Sequence, residues 1–236
     1  GCRVWQYEKE DAALTDVLRL SRAMTYKNAL ALLPLGGGKC VVHTDLSLVE
    51  RKRLFEAIGL FVETLQGRYI IAEDVNSTLA DMAIIKTETD HVATVGASGN
   101  PSPFTAYGVY CAIRASVQYK MKKARLEGLT VAIQGIGETG ARLAELLYRD
   151  HCRLTVADIN IDNIRRLRQK IDFDLVAADD IYSVPCDIFS PCALGGTVNS
   201  RTIPLLRCQI VAGSANNQLL REEDGQHLFN RNILYG

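Results

Sequence analysis

Two groups of residues in this sequence have types and spacing that suit chemistry. The first is Gly135-Ile136-Gly137-Glu138-Thr139-Gly140, which follows an apolar run and opens a helical one. A GxGxxG turn between a strand and a helix cradles a pyrophosphate. Gly135 permits the tight turn, Gly137 lets the backbone approach the phosphates, and Gly140 lets helix and strand pack closely. Asp158 ends the next strand-like run about 20 residues on, where a carboxylate accepts hydrogen bonds from the adenosine ribose. A carboxylate there repels a 2′-phosphate, so NAD is expected rather than NADP. Arg165 and Arg166 read as solvated helix residues. The bland alternative, a glycine turn in a non-binding α/β unit with Asp158 capping the next helix, needs motif, placement and acid to coincide by chance.

The second group is Lys39, which follows Gly36-Gly37-Gly38 at the mouth of a short β-type run. Backbone can pack closely around a side chain there, and desolvation or a nearby cation lowers a lysine pKa from about 10.4 by up to several units. A lysine so placed can act as a base. Spacing alone fits a surface lysine after a flexible turn at least as well.

These groups need elements to hold them. Apolar residues at helical spacing predict helices over residues 11–33, 48–65, 78–89, 105–123, 138–148 and 162–170. Strand-like runs lie at 39–43, 69–72, 129–134 and 153–157, with shorter apolar runs at 187–189, 209–213 and 232–235 that can extend a sheet. Strand–helix alternation with apolar strands predicts an α/β fold with a parallel sheet covered on both faces. Breakers concentrate in Gly96-Ala97-Ser98-Gly99-Asn100-Pro101-Ser102-Pro103, which predicts a hinge near 96–103. The expected domains are residues 1–99 and a Rossmann-type dinucleotide-binding domain over 100–236.

Composition narrows the classes of partner. The 236 residues are 47% hydrophobic, enough for one large core or two modest ones. Lys plus Arg (27) equals Asp plus Glu (27), so no net field draws nucleic acid or an anionic membrane, and no basic stripe or reader motif is present. A small neutral or zwitterionic partner fits better. No apolar run reaches the length of a membrane span. Seven cysteines without a CxxC pair and four histidines without ligand spacing predict reduced thiols and no metal site. The cytoplasm is the expected location.

The string Met24-Thr25-Tyr26-Lys27-Asn28-Ala29, with Leu35-Gly36-Gly37-Gly38-Lys39 after it, resembles the active-site signature of the Glu/Leu/Phe/Val dehydrogenase family. The resemblance continues in register through Gly67-Arg68-Tyr69-Ile70, Ala72-Glu73-Asp74-Val75 and Ser98-Gly99-Asn100-Pro101-Ser102-Pro103-Phe104-Thr105-Ala106-Tyr107-Gly108-Val109. It extends to Pro191-Cys192-Ala193-Leu194-Gly195 and Ala212-Gly213-Ser214-Ala215-Asn216-Asn217-Gln218. It covers nearly the whole chain and is strongest to the leucine-dehydrogenase branch.

The resemblance implies a role for each matching position. Lys27 binds the substrate carboxylate, Lys39 activates the water that attacks the imino carbon, and Asp74 exchanges protons with the substrate nitrogen. By itself Asp74 fits a helix cap or structural ion pair equally well. Ala72 shapes the side-chain pocket, Thr105 faces the nicotinamide carboxamide, and Asn216 and Asn217 lie near the nicotinamide and the substrate amine. The implied reaction is NAD-dependent oxidative deamination of a neutral L-amino acid, such as leucine, valine, isoleucine or phenylalanine, to its 2-oxo acid and ammonium. Residues 1–99 then form an amino-acid dehydrogenase catalytic domain, and homo-oligomers are expected. Relative to the family the chain is expected to be truncated at both ends, with the catalytic domain incomplete, and the stretch between Val92 and Ser98 looks shorter. The competing expectations are a catalytically silent NAD-binding fragment and a glutamate dehydrogenase, which would need an extra cation for the second substrate carboxylate.

Overall fold

The computed structural model describes residues 1–93 and 101–236. The chain divides into two compact units, Gly1–Asn100 and Pro101–Gly236. The expected hinge near 96–103 lies outside the described residues up to position 100.

In the first unit β1 (Cys2–Trp5) and β2 (Cys40–His43) pair in parallel, with Cys2 opposite Cys40 and Trp5 opposite His43. A crossover through α1 (Glu10–Leu30) joins them, as parallel pairing requires. Helices α2 (Arg51–Thr64) and α3 (Leu79–Lys86) follow. Phe55, Ile58 and Val62 of α2 are buried at helical spacing and meet Met82 and Ile85 of α3, Cys2 and Val4 of β1, and Ile71 in one core. The run at 69–72, expected as a strand, forms a single bridge, Ile71 with Val92, and a second bridge, Cys2 with Glu73, falls just past it. Of α1, Leu20 and Asn28 are buried, while Leu14, Leu18 and Leu30 are exposed, as is Leu32 just past its end.

Helix α3 starts on a capping box in which Thr78 and Asp81 exchange bonds. The Asp81 carboxylate, 2% exposed, also takes both arms of Arg51 at 2.6 and 2.7 Å, locking the first turn of α2 to that of α3.

In the second unit α4 (Ser102–Met121) precedes β3 (Thr130–Gln134), α5 (Glu138–Arg149), β4 (Arg153–Ala157), α6 (Ile161–Arg168) and β5 (Asp174–Leu175). Then come β6 (Ile188–Pro191), β7 (Ile210–Val211), α7 (Glu223–Asn230) and β8 (Leu234–Tyr235). Among the described residues six strands form an all-parallel sheet in the order β5-β4-β3-β6-β7-β8, the doubly wound Rossmann arrangement. Alternation sends Val131, Ile133, Ile188 and Ile210 into one core and Ala132, Phe189 and Val211 into another, so both faces are covered and each strand reads as a continuous apolar run. The α/β class expected from the sequence is what the chain adopts. Among the described residues no helix is long and apolar enough to cross a membrane.

Replacing Asp81 by Ala leaves the Thr78 N–H and the Arg51 fork without their acceptor. We expect a loss of about 2 kcal/mol of stability, read from the denaturant midpoint. Arg51→Ala, whose side chain is 40% exposed, costs less.

Candidate active site

Lys39 owes its position to the loop before it. Asn28, buried in the last turns of α1, donates its side-chain N–H to the Gly36 carbonyl at 2.6 Å. At Gly37 a Cβ would stand 2.1 Å from the Ser21 carbonyl oxygen and 2.2 Å from the Thr25 nitrogen, so the loop lies on the backbone of α1 where a side chain cannot fit. The chain then enters β2, and Lys39 turns toward Asp74. Their side chains, 13% and 6% exposed, form an ion pair through Nζ and Oδ2.

Asp74 is fixed on its other oxygen. Oδ1 accepts from the Val75 N–H at 2.7 Å and from Nε of Arg3 at 3.2 Å. The Asp74 N–H donates to Ser77 Oγ at 2.9 Å, and that hydroxyl donates to the Cys2 carbonyl at 2.6 Å, tying the segment to β1. Burial pushes the Asp74 carboxyl up, but the charge and bond of Lys39, the Val75 N–H and the Arg3 guanidinium outweigh it and hold the group at about 2.

Lys27 stands in the last turn of α1. The residue is exposed overall, yet the surroundings of its ammonium group push its pKa down, by burial first and by the charge of Lys39 second, while Asp74 opposes the fall. Ala72, half-buried, lies two residues before Asp74, and its carbonyl accepts from the Cys2 N–H at 2.7 Å. Lys27, Lys39 and Asp74 thus form one electrostatic group, with Ala72 on the segment that carries Asp74. Two ammonium groups around one fixed carboxylate suit an anion beside a site of proton exchange.

The second unit gathers its candidates at the carboxyl ends of its strands, where the strand order reverses between β3 and β6. Gly135 has φ +87°, and a Cβ there would meet Ala193 of the loop after β6 at 2.8 Å. A Cβ on Gly140 would stand 2.1 Å from the Gly135 carbonyl oxygen, the close helix–strand approach expected of the third glycine. Gly137 is the N-cap of α5, has no side-chain cap, and faces open space where a Cβ would go. The helix thus presents its first amides to whatever approaches, and a pyrophosphate fits that cradle.

Asp158 is half-buried with both oxygens engaged: Oδ2 accepts from the Ile136 N–H at 2.7 Å and Oδ1 from the Asn160 N–H at 2.7 Å. It therefore holds the glycine turn as well as offering its remaining lone pairs to a ribose, and α6 is capped by Asn160 rather than Asp158. Ile159 beside it is 94% exposed. Asn216 and Asn217 lie in the loop after β7; the Asn217 carbonyl accepts from the Gly196 N–H at 2.8 Å, joining this loop to the one after β6. Thr105 is exposed in the first turn of α4, its hydroxyl donating to the Pro101 carbonyl at 3.2 Å.

Sequence reasoning passed over Arg3, Asn28 and Ser77 as functional residues. The signal for Arg3 is faint: one charge between apolar neighbours in Cys2-Arg3-Val4, consistent with a strand of two unlike faces but too short to mark one. Among the described residues there is no cluster of groups able to hold a metal ion, and all seven cysteines are free thiols.

Comparison with known proteins places these features in context. Residues 1–91 match the family described as Glu/Leu/Phe/Val dehydrogenase, dimerisation domain. The whole chain is 47% identical over 239 residues to a leucine dehydrogenase of Thermoactinomyces intermedius, covering 65% of that protein. It aligns along its full length with the crystal structure of L-tryptophan dehydrogenase from Nostoc punctiforme, at 42% identity, a TM-score of 0.74 and 68% of that chain. A hetero-hexameric glutamate dehydrogenase from Thermus thermophilus shares the fold at a TM-score of 0.79 and 20% identity, with 62% of that chain covered. The chain spans about two thirds of the length of the relatives it matches.

Because Asp74 is held at about 2 against an ordinary value of 3.8, its ionisation contributes stability that is fully present above about pH 4 and is lost as pH falls toward 2. The contribution is roughly 2 to 3 kcal/mol. Stability measured from pH 5 to pH 2 is expected to fall less steeply in Asp74→Asn than in the parent, although the variant is weaker throughout because Lys39 and Arg3 lose their counter-charge.

Proposed function

The chain belongs to the Glu/Leu/Phe/Val dehydrogenase family, and on that premise we propose that it carries the site for NAD-dependent oxidative deamination of a neutral L-amino acid to its 2-oxo acid and ammonium. The observation that carries this reading is the buried Lys39–Asp74 ion pair with Lys27 beside it, in a chain whose dinucleotide turn is intact.

On this reading residues 1–99 handle the amino acid and residues 100–236 hold the dinucleotide. Lys27 takes the substrate carboxylate, an anion that relieves the repulsion between Lys27 and Lys39. Asp74, ionised and with Oδ2 turned to Lys39, accepts a proton from the substrate ammonium and returns it to departing ammonia. Lys39, as the free amine once its ammonium proton has passed to solvent, holds and deprotonates the water that adds to the imino carbon. When bound, the dinucleotide supplies the acceptor for the hydride of the substrate Cα. The amides at the start of α5, with Gly135, Gly137 and Gly140, hold its pyrophosphate; Asp158 takes the ribose hydroxyls and disfavours a 2′-phosphate. Ile159 offers an exposed apolar surface to the base. Thr105 and Asn216 orient the nicotinamide, Asn217 faces the substrate amine, and Ala72 leaves room for an apolar side chain.

The neutral-amino-acid reading is favoured over glutamate by the relatives named leucine and L-tryptophan dehydrogenase at 42–47% identity, against 20% for a glutamate dehydrogenase. Exposed Leu14, Leu18, Leu30 and Leu32 on and beside α1, together with the dimerisation-domain match, support homo-oligomers. Free thiols support a reducing location such as the cytoplasm.

The test is NADH absorbance on mixing the full-length protein with NAD and, in turn, leucine, valine, isoleucine, phenylalanine, tryptophan and glutamate. Turnover with a neutral amino acid is expected. Lys39→Ala is expected to cut kcat by about 10²- to 10⁴-fold with NAD affinity unchanged. Absent turnover with NAD still bound identifies a silent NAD-binding protein, and turnover with glutamate alone overturns the substrate class.

A further inference from the structure

Asp74 has a second cation. Arg3 lies on β1 between Cys2 and Val4, both of which point into the core, so strand alternation turns its side chain to the opposite face of the sheet. There Nη1 donates to Asp16 Oδ2 of α1 at 2.8 Å and Nε donates to Asp74 Oδ1 at 3.2 Å. The Tyr7 hydroxyl donates to the same Asp16 oxygen at 2.6 Å. The Arg3 side chain is 12% exposed, and one guanidinium thus bridges two carboxylates with its anchor held from a third side.

We infer that Arg3, tethered by Asp16 and Tyr7, is a positioning residue for the Lys39–Asp74 pair: with the Val75 N–H it fixes Oδ1 of Asp74 so that Oδ2 alone meets Lys39 and the substrate nitrogen. Its charge also keeps the carboxylate ionised as protons pass. An arginine suits this task for two reasons. Its planar fork spans two carboxylates in fixed directions, and it does not give up a proton in the working range, so it adds charge without adding a competing donor. The other groups facing Asp74 are Lys39 before β2, Lys27 from α1, the Cys2 thiol and the Tyr69 hydroxyl. Arg3 is fixed by hydrogen bonds on both sides, to Asp16 and to Asp74.

The kinetic part of the inference rests on the deamination reading, whereas the ionisation of Asp74 does not. The experiment therefore has two readouts on the full-length protein: a carbon-13 carboxyl NMR titration of Asp74, and the pH profile of kcat/KM for the best neutral amino acid. Arg3→Met is expected to raise the Asp74 pKa by about one unit, tenfold in ionisation constant, and to move the acid limb of kcat/KM upward with it. KM for NAD stays unchanged. Arg3→Lys restores most of the titration but not kcat, because an ammonium lacks the fork. Asp16→Asn, which frees the guanidinium without removing it, gives a smaller shift in the same direction, and these two variants carry the test if Arg3→Met does not fold. A fall in melting temperature with the Asp74 titration unmoved overturns the inference and leaves Arg3 a purely structural residue. If the titration moves as stated while no amino acid is turned over by the parent protein, the deamination reading fails and the positioning of Asp74 stands.

Discussion

One buried carboxylate organises the first unit. Asp74 is 6% exposed, and removing a charged carboxylate from water costs several kcal/mol unless fixed partners replace its hydration. Those partners come from separate parts of the chain: Lys39 at the start of β2, Arg3 in β1, and the N–H of Val75 next door. The parallel register that sets Cys2 opposite Cys40 brings the first two to the same end of the sheet, and the Ser77 hydroxyl ties the Asp74 segment to the Cys2 carbonyl. The apolar core beneath, built on Phe55, Val62, Ile71 and Met82, supplies the low dielectric that makes these contacts strong.

The second unit meets a different constraint with the same device, contact of backbone on backbone. The loops after β3, β6 and β7 pack so tightly that a Cβ at Gly135 would strike Ala193 and one at Gly213 would stand 2.2 Å from the Pro191 carbonyl oxygen. Crowding on the inside leaves the amides at the start of α5 facing outward beside an open position at Gly137. Asp158 couples the two ends of the arrangement, since the carboxylate available to a ligand also accepts from Ile136 within the turn. Shape and charge in this cradle therefore depend on each other.

Much of this was legible in the sequence, and the exceptions have physical causes. Long helices with regular apolar spacing were found within a few residues: the run at 105–123 became Ser102–Met121 and that at 138–148 became Glu138–Arg149. Strand β4 was read without error because both its faces are covered and its pattern is unambiguous. Strand β1 was missed because four residues give too little pattern, and missing it hid the alternation that singles out Arg3. The run at 69–72 has strand composition but pairs through a single bridge, since pairing depends on neighbours that composition cannot see. Helix α7 escaped because it is short, its buried positions include the charged Asp224 beside Leu228, and it carries a glycine at 225. The pair Lys39 and Asp74 was expected from resemblance alone; nothing in the spacing of two residues so far apart indicates that they touch.

Cation types around Asp74 differ in what they can do, and that difference gives the site its direction. Arg3, Lys27 and Lys39 against Asp74 and Asp16 leave the cluster with one positive charge in excess, which the carboxylate of the proposed amino-acid substrate would neutralise. Lys27 has its pKa pushed down by burial and by Lys39, a repulsion that a neighbouring carboxylate would relieve. The guanidinium keeps its charge throughout, which anchors one oxygen of Asp74 while the other faces an ammonium group that can exchange protons. A carboxylate held between two lysines would lack that asymmetry, because either neighbour could then surrender a proton and neither oxygen would be reserved for the substrate. On the proposed reading, a non-titrating cation on one side and a titrating one on the other would make the path of the proton a consequence of geometry.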